Sequence, residues 1–186
     1  MEVSFAFYEK KFLVTGASSG IGRQIVKELV IAGAKVLAVA RRQKELEQLQ
    51  QDYPSNIYIA TVDVVQTNEL EKAIARFVEK NGKLDGSVHA AGIFRFTPLR
   101  AFDLDAAKLM MDVHLWAGIA LLKLVTSRKY AVAETAHVQF SSVSAERAQK
   151  GLCAYSATKA AVQAVCKTLA AEVAEKGHRV NTICPG

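Results

Sequence analysis

The sequence predicts an α/β fold in which one parallel sheet of six strands is covered by helices on both faces. Two features indicate this fold. Short apolar runs alternate with amphipathic stretches of helical period, which is typical of strand–helix–strand units with right-handed crossovers. The apolar runs are nearly continuous, as in strands that are buried on both faces. With 186 residues and no internal repeat or linker, the chain is expected to form a single domain over residues 1–186.

The elements follow one another in a regular order along the chain. Strands are expected at residues 12–15, 36–40, 57–62, 86–90, 137–141 and 179–183. Helices are expected at residues 21–32, 43–51, 67–80, 105–127 and 154–176. In an open parallel sheet, ligands bind at the carboxyl ends of the strands, near the point where the strand order reverses. The motifs described next follow these strand ends, so the sequence predicts that they meet at one edge of the sheet.

The first strand leads into a glycine-rich turn that opens the first helix. Three residues separate Gly16 from Gly20, and Gly22 follows. Glycines allow a sharp turn and a close approach of the backbone to a pyrophosphate, and the free N–H groups of the helix N-terminus then bind the anion. The alternative is an ordinary loop that is capped by Ser18 and Ser19.

The second strand ends in Arg41 and Arg42, and no acidic residue follows until Glu45. In dinucleotide-binding folds that use NAD, a carboxylate at this point accepts hydrogen bonds from the ribose 2′-hydroxyl and would repel a 2′-phosphate. A guanidinium group can instead bind a phosphate through two hydrogen bonds. The sequence therefore predicts NADP(H) rather than NAD(H). The alternative of two surface cations at a helix start is disfavoured by the helix dipole.

The last long helix carries Tyr155 and Lys159, whose i, i+4 spacing places both side chains on one face. A phenol ordinarily titrates near pH 10 and is a poor base at neutral pH. A neighbouring ammonium group favours the phenolate, which makes the pair suited to carbonyl–alcohol chemistry. Tyrosine and lysine also fall four residues apart by chance in many helices, so the pair depends on its context.

Together these features closely resemble the short-chain dehydrogenase/reductase family. The resemblance implies a Rossmann-like, doubly wound fold and an NAD(P)-dependent interconversion of a carbonyl and a secondary alcohol. It extends over nearly the whole chain. The residues that carry it are Thr15 to Gly22, Asp63-Val64, His89-Ala90-Ala91-Gly92, Ser141-Ser142, Tyr155, Lys159 and Val180 to Gly186.

The resemblance implies catalytic roles for Ser142, Tyr155 and Lys159. Ser142 would donate a hydrogen bond to the substrate oxygen, which strengthens as negative charge develops there. Tyr155 would supply the proton, and Lys159 would favour its phenolate and bind the nicotinamide ribose. The alternative for Ser142 is a turn residue that caps its own loop.

The resemblance also implies a cofactor site along the strand ends. Asp63 would contact the adenine and Val64 would flank it, although Asp63 could instead cap the helix near Thr67. His89 is interpreted as a structural histidine. The complete expected set is Gly16, Ser18, Ser19, Gly20, Ile21, Gly22, Arg41, Arg42, Asp63, Val64, Ala91, Gly92, Tyr155, Lys159, Pro185 and Gly186.

The chain departs from the family pattern in two places. His114 stands where the family has an asparagine that supports a proton relay. A histidine could relay protons itself or fill the space as a hydrogen-bonded core residue. The chain also stops at Gly186, where family members continue with a substrate lid and a final strand, so the domain is expected to be incomplete at its C-terminus.

Composition narrows the possible partners. The net charge of +6 is scattered and interleaved with Glu and Gln, which predicts no nucleic-acid partner. No apolar run approaches the ~18 residues of a membrane span, and residues 1–5 do not resemble a secretory signal. Cys153, Cys166 and Cys184 suit a reducing cytoplasm and have no metal-ligand spacing, so no metal is predicted.

Three classes of function are weighed from the sequence. The first is an NADP(H)-dependent oxidoreductase acting on a small-molecule carbonyl or alcohol. The second is a module of the same fold that binds NADP(H) without turnover. The third is an assembly subunit. The resemblance implies a homodimer or homotetramer that pairs through helices 105–127 and 154–176, although buried core helices would give the same apolar pattern.

Overall fold

A computed structural model of the chain describes residues 5–147 and 149–186. Its sheet has six strands, all parallel, in the order β3-β2-β1-β4-β5-β6. The strands are β1 Lys11–Thr15, β2 Lys35–Ala40, β3 Ile57–Thr61, β4 Leu84–His89, β5 Ala131–Phe140 and β6 Arg179–Ile183. The predicted fold class is confirmed. The expectation about a secretory signal rests mainly on residues 1–4, which lie outside the described residues.

Helices connect the strands, and each predicted helix has a counterpart in the structure. They are α1 Gly20–Ile31, α2 Gln43–Asp52, α3 Thr67–Asn81, α4 Leu104–Met111, α5 Ala117–Val125 and α6 Cys153–Val173. A π-helical turn, Asp112–Trp116, joins α4 to α5, so the helix predicted at residues 105–127 is divided. Single 3₁₀ turns occur at Leu99–Ala101, Val143–Ala145 and Ala174–Lys176.

Strand β5 begins earlier than the sequence predicts, at Ala131 instead of residue 137. Its pairing with β4 is irregular there, because Leu84 lies opposite Ala131 whereas Gly86 lies opposite Ala136. The intervening residues bulge and include the exposed Glu134. A polar residue in a bulge interrupts the apolar run that indicates a strand, which explains the shorter prediction.

Helices cover both faces of the sheet, as predicted. Leu13 and Leu37 pack in a core cluster with residues of α3, α5 and α6. The adjacent strand residues Val14 and Val36 pack in a second cluster with α1 and α2. Successive side chains of a strand point to opposite faces, so β1 and β2 each supply both clusters. The near-continuous apolar runs of the sequence follow from this double burial.

The order of the strands creates a crevice at one edge of the sheet. From β1 the chain proceeds outward through β2 to β3, and β4 then returns to the other side of β1 and leads to β5 and β6. The connections therefore diverge between β1 and β4, which leaves space for a ligand at their carboxyl ends. Among the described residues, no helix is both long and apolar enough to cross a lipid bilayer.

Candidate active site

Two adjoining clefts lie at the carboxyl ends of the strands. The glycine cleft, of about 490 Å³, is lined by the turn after β1 and by the ends of β2, β3 and β4. The tyrosine cleft, of about 350 Å³, is lined by the ends of β4, β5 and β6 and by Tyr155 and Lys159 of α6. The two clefts share the wall formed by Ile21, Ala90, Gly92 and Ile93. A ligand in one cleft therefore reaches the other directly.

The turn after β1 and the start of α1 are packed so tightly that they require glycine at two positions. Gly16 has φ +69°, and a Cβ there would lie 2.6 Å from the carbonyl oxygen of Ala90. A Cβ at Gly22 would lie 2.5 Å from the carbonyl oxygen of Gly16. Helix α1 begins directly after this turn, and its first turn holds no acidic residue.

The first turn of α1 is suited to bind an anion. Ser19 is the N-cap residue, but its side chain makes no capping hydrogen bond. The hydroxyl of Ser18 instead accepts hydrogen bonds from Arg42, at 3.0 and 3.2 Å. The alternative of a loop capped by these serine side chains is therefore wrong. Helix N-terminal amides without a side-chain cap are a general site for phosphate groups.

Two guanidinium groups and one carboxylate line the outer part of the glycine cleft. Arg42 approaches Glu45 at 3.4 Å as well as Ser18. An Arg41 guanidinium nitrogen lies 3.8 Å from an Asp63 carboxylate oxygen, and the Arg41 side chain is mostly exposed. Guanidinium groups held this way can bind a phosphate that enters the cleft.

Asp63 does not cap a helix. One of its carboxylate oxygens accepts from the Val65 backbone N–H at 3.2 Å. Helix α3 starts at Thr67 with Gln66 as its N-cap residue and no side-chain capping bond. The capping alternative for Asp63 is therefore wrong, and Asp63 lines the glycine cleft together with the buried Val64.

His89 is a structural residue, as interpreted from the sequence. Its Nε2–H donates to the Val113 carbonyl oxygen at 3.0 Å, so its Nδ1 accepts from the Thr15 hydroxyl at 2.8 Å. That hydroxyl in turn accepts from the Ala91 N–H at 3.2 Å. Burial, opposed by the bond to Val113, lowers the pKa of His89 to about 4. This neutral histidine therefore fixes the turn that contains Ala91 and Gly92.

His114 lies in the π-helical turn and lines the tyrosine cleft, next to the wall that the two clefts share. Its Nε2 is 2.9 Å from the backbone nitrogen of Ile93 and 2.8 Å from its carbonyl oxygen. Burial is the main cause that lowers the pKa of His114 to about 4, and the Lys159 charge adds to it. Among the described residues, His114 Nδ1 is one of two buried side-chain nitrogen or oxygen atoms without a protein partner. The hydrogen-bonded alternative fits these contacts.

Lys159 is held at the end of β5. Its Nζ donates to the Phe140 carbonyl oxygen at 2.8 Å and lies 5.6 Å from the centre of the Tyr155 ring. The residue is only 5% exposed. Burial lowers the pKa of Lys159 from 10.5 to about 8. The Ser141 hydroxyl donates to the Lys159 carbonyl oxygen at 2.9 Å, which ties α6 to β5.

Ser142 lies beside Tyr155 in the lining of the tyrosine cleft. Its hydroxyl oxygen accepts from the Ser144 N–H at 3.1 Å, so it does cap its own turn. The hydroxyl proton is still available to a ligand, because that bond uses only the oxygen lone pair. The Val143 N–H donates to the Pro185 carbonyl oxygen at 3.1 Å, which brings Pro185 and Gly186 to the cleft.

The structure thus brings the predicted cofactor residues and the predicted catalytic residues to two neighbouring clefts. It also adds Ile93 and Phe94, which the sequence reasoning did not single out. The Phe94 ring packs edge to face on Tyr155, with ring centres 5.2 Å apart. The sequence position of Ile93 and Phe94 could have identified them, because large apolar residues directly after a strand end lie where ligands bind in this kind of sheet.

Comparison with known proteins agrees with this arrangement. The family model described as short chain dehydrogenase matches residues 10–186. An uncharacterised oxidoreductase of Staphylococcus haemolyticus is 30% identical over 175 residues, which cover 94% of this chain and 76% of that protein. The 3beta-hydroxysteroid dehydrogenase 2 of Eggerthella lenta is 32% identical over 179 residues, covering 94% of this chain and 69% of that protein.

Solved structures show the same architecture. A short-chain dehydrogenase from Streptomyces avermitilis superposes with a TM-score of 0.84 at 31% identity, over 95% of this chain and 65% of that one. A short-chain dehydrogenase/reductase described as glucose/ribitol dehydrogenase, from Brucella melitensis, superposes with a TM-score of 0.93 at 26% identity. That match covers 99% of this chain and 75% of the other.

Proposed function

The chain belongs to the short-chain dehydrogenase/reductase family, and we propose that it is an NADP(H)-dependent oxidoreductase that interconverts a carbonyl and a secondary alcohol. One observation carries this proposal. Ser142, Tyr155 and Lys159 line a single cleft, and that cleft shares a wall with the glycine cleft. A proton donor and a dinucleotide cradle are then side by side, as hydride transfer to a carbonyl requires.

The residues of the glycine cleft fit a dinucleotide. The amides at the start of α1, uncapped by a side chain, suit the pyrophosphate. Gly16 lets the backbone pack closely at this point, while Asp63 and Val64 border the space expected for the adenine. When bound, NADP(H) supplies or accepts the hydride.

The residues of the tyrosine cleft supply the proton chemistry. The Tyr155 hydroxyl gives a proton to the carbonyl oxygen during reduction and takes it back during oxidation. Ser142 donates a hydrogen bond to the same oxygen through its free hydroxyl proton. Lys159, fixed by the Phe140 carbonyl, favours the phenolate of Tyr155.

The first test replaces the proton donor. Tyr155→Phe removes only the hydroxyl, so turnover is expected to fall by roughly two to four orders of magnitude while NADPH binding is retained. Tyr53→Phe, at a tyrosine outside both clefts, is the matched control and should keep full turnover. Steady-state oxidation of NADPH with a panel of ketones gives the rates. If Tyr155→Phe turns over like the parent chain, the proposed role of Tyr155 is wrong.

The preference for NADP(H) is supported by the two guanidinium groups of Arg41 and Arg42 in the lining of the glycine cleft. Arg41→Ala is expected to weaken NADPH binding about tenfold and to leave NADH binding within about twofold, because only NADPH carries the 2′-phosphate. Lys44→Ala, an exposed cation of α2 outside the cleft, is the control. Fluorescence titration measures both affinities, and an equal loss for the two cofactors would contradict the preference.

His114 acts through the Ile93 backbone in this proposal. Both Ile93 backbone groups lie within hydrogen-bond distance of its Nε2, so it holds the wall between the clefts. A direct catalytic role remains the prediction made from the sequence. His114→Leu, which removes both ring nitrogens, separates the two: loss of a proton relay changes the pH profile of kcat, whereas altered positioning changes KM first.

Assembly and location complete the proposal. We infer a homodimer or homotetramer, because Leu109 and Trp116 are 45% and 56% exposed beside α6, whose outer face carries the small residues Ala157, Ala160 and Ala164. Sedimentation should give a multiple of 20.2 kDa, and a single-chain mass would exclude the assembly.

The free thiols of Cys153, Cys166 and Cys184 support a reducing, cytoplasmic setting, which imaging of the tagged chain would test.

A further inference from the structure

Phe94 exposes an aromatic ring next to the proposed proton donor. The residue follows the end of β4 and is 54% exposed. One part of its ring packs on Tyr155, with an angle of 75° between the ring planes. The rest of the ring is open to the tyrosine cleft, where it can contact a ligand held by Tyr155. An exposed aromatic side chain at the rim of a cleft is a general anchor for apolar ligands.

Much of the rest of the tyrosine cleft is apolar, apart from the polar residues around Ser142, Tyr155 and Lys159. Ile21, Ile93, Phe140 and Pro185 line it together with Phe94. Among the described residues that line it, Lys159 is the one cationic side chain, and its buried ammonium donates to the Phe140 carbonyl oxygen. His114 also lines the cleft but is neutral. The nearby Arg95 is not part of the lining. A substrate carboxylate or phosphate would therefore lose its hydration in this cleft without an exposed cation to replace it.

The cleft is large enough to admit a small molecule. Its volume of about 350 Å³ lies at the lower end of the range for small-molecule sites. The nicotinamide end of a cofactor would occupy part of this space, because Ile21 and Gly92 border both clefts.

We propose that the substrate is an uncharged ketone or secondary alcohol with an aromatic or similarly flat apolar group next to the reacting carbon, and that Phe94 selects it. This inference rests on the proposed oxidoreductase function. The carbonyl oxygen would meet Tyr155 and Ser142, and the flat group would cover the open part of the Phe94 ring. Aromatic pairs favour such edge and offset contacts beyond the area they bury.

A second phenylalanine provides a matched control. Phe96 is 63% exposed but does not line the cleft. Its ring packs over Gly151, where a Cβ would overlap it. The neighbouring Thr97 N–H donates to the Gly151 carbonyl oxygen at 2.8 Å. Phe94 and Phe96 are thus similar in type, exposure and chain position, but only Phe94 contacts Tyr155.

The experiment compares three carbonyl probes with the 186-residue chain: acetophenone, butan-2-one and the anionic phenylglyoxylate. The parent chain should reduce acetophenone with the highest kcat/KM. Phe94→Ala should lower kcat/KM for acetophenone roughly fivefold to tenfold and change that for butan-2-one less than about twofold. Phe96→Ala should change neither, and NADPH affinity should be the same in all three proteins. Phe94→Leu, which keeps apolar bulk without a ring, should show an intermediate loss.

Several outcomes would overturn the inference. Equal losses for acetophenone and butan-2-one in Phe94→Ala would mean that Phe94 positions Tyr155 and does not select the substrate. A preference for phenylglyoxylate would contradict an uncharged substrate. Absence of turnover with every carbonyl, despite NADPH binding, would defeat the proposed function instead. In that case calorimetric binding of acetophenone to the NADP⁺-loaded chain decides: binding that Phe94→Ala weakens supports the selective role, and no binding rejects it.

Discussion

Lys159 is a cation that the fold holds almost out of contact with water. Its ammonium donates to the Phe140 carbonyl oxygen. Among the described residues, it forms no ion pair with a carboxylate. Burial disfavours the charged form of a lysine, and this lowers its pKa to about 8. The residue proposed to favour the Tyr155 phenolate therefore destabilises the folded chain while it is charged.

The cost of that buried charge can be measured through pH. In the unfolded chain a lysine titrates near 10.5, whereas the pKa of folded Lys159 is about 8. Between these values the unfolded chain binds more protons, so the parent chain gains stability as pH rises. Relative to Lys159→Met, its free energy of unfolding should increase by roughly 3 kcal/mol from pH 8 to pH 10.5. Urea unfolding of both proteins across this range measures the difference, and parallel pH curves would contradict it.

Individual residues show which features of the site could be predicted from the sequence and which could not. Helical spacing alone placed Tyr155 and Lys159 on one face, and both line the tyrosine cleft. The contact of His114 with the Ile93 backbone and that of Phe94 with Tyr155 were not predictable in this way. Periodicity describes which side chains of one element share a face, but both of these contacts join a loop to a helix far along the chain.

Among the elements, the turn from β1 to α1 shows how close packing restricts the choice of residue. Gly16 faces the Ala90 carbonyl oxygen across the join between β1 and β4, with no room for a side chain. Gly20, four residues on, also has positive φ, at +54°, but a Cβ there would have no neighbour within 4 Å. A side chain at Gly20 would therefore meet backbone strain alone, whereas a side chain at Gly16 would meet strain and steric overlap.

Alanine substitutions test that separation. Gly20→Ala should destabilise the chain by about 1 kcal/mol, because only the left-handed backbone conformation is penalised. Gly16→Ala adds overlap with backbone atoms that cannot move easily, so a loss of at least about 2 kcal/mol is expected. Urea unfolding at neutral pH measures both. Equal losses in the two variants would show that the turn can relax around a methyl group.

The elements were largely predictable, and the exceptions share a cause. Apolar patterning gave every strand and the helices on both faces. It did not give the π-helical turn at Asp112–Trp116 or the bulge at the start of β5. The π-helical turn leaves the apolar pattern of its helix nearly unchanged, whereas the bulge places the polar Glu134 inside the strand and interrupts its apolar run. Patterning detects which residues are buried, whereas such insertions are set by packing against neighbouring elements.

On the scale of the whole molecule, the interior contains several neutral histidines. His89, His114 and His137 are at most 4% exposed. His137 is within hydrogen-bond distance of the Ser87 and Thr135 hydroxyls, at 2.8 and 2.6 Å, on the part of the sheet away from the clefts. Burial is the first cause that lowers the pKa of each of these three histidines to about 4.

Because these histidines are buried in the neutral form, we expect the folded chain to lose stability in mild acid. An unfolded histidine titrates near 6.5, so between pH 6.5 and pH 4 the unfolded chain binds more protons than the folded one. The free energy of unfolding should therefore fall as pH decreases through this interval, by up to roughly 4 kcal/mol per pH unit when all three contribute. Urea unfolding at pH 7, 6 and 5 tests this, and equal stability at pH 7 and pH 5 would contradict it.

The strand order also divides the sheet into two halves, β1–β3 and β4–β6, that meet only where β1 pairs with β4. Gly16 and Arg41 belong to the first half, whereas Gly92, Ser142 and Tyr155 belong to the second. Neither half contains a complete binding surface. A ligand that contacts both can bind only after the halves have joined, and its binding free energy then opposes their separation. Binding of such a ligand and the joining of the two halves are therefore thermodynamically linked.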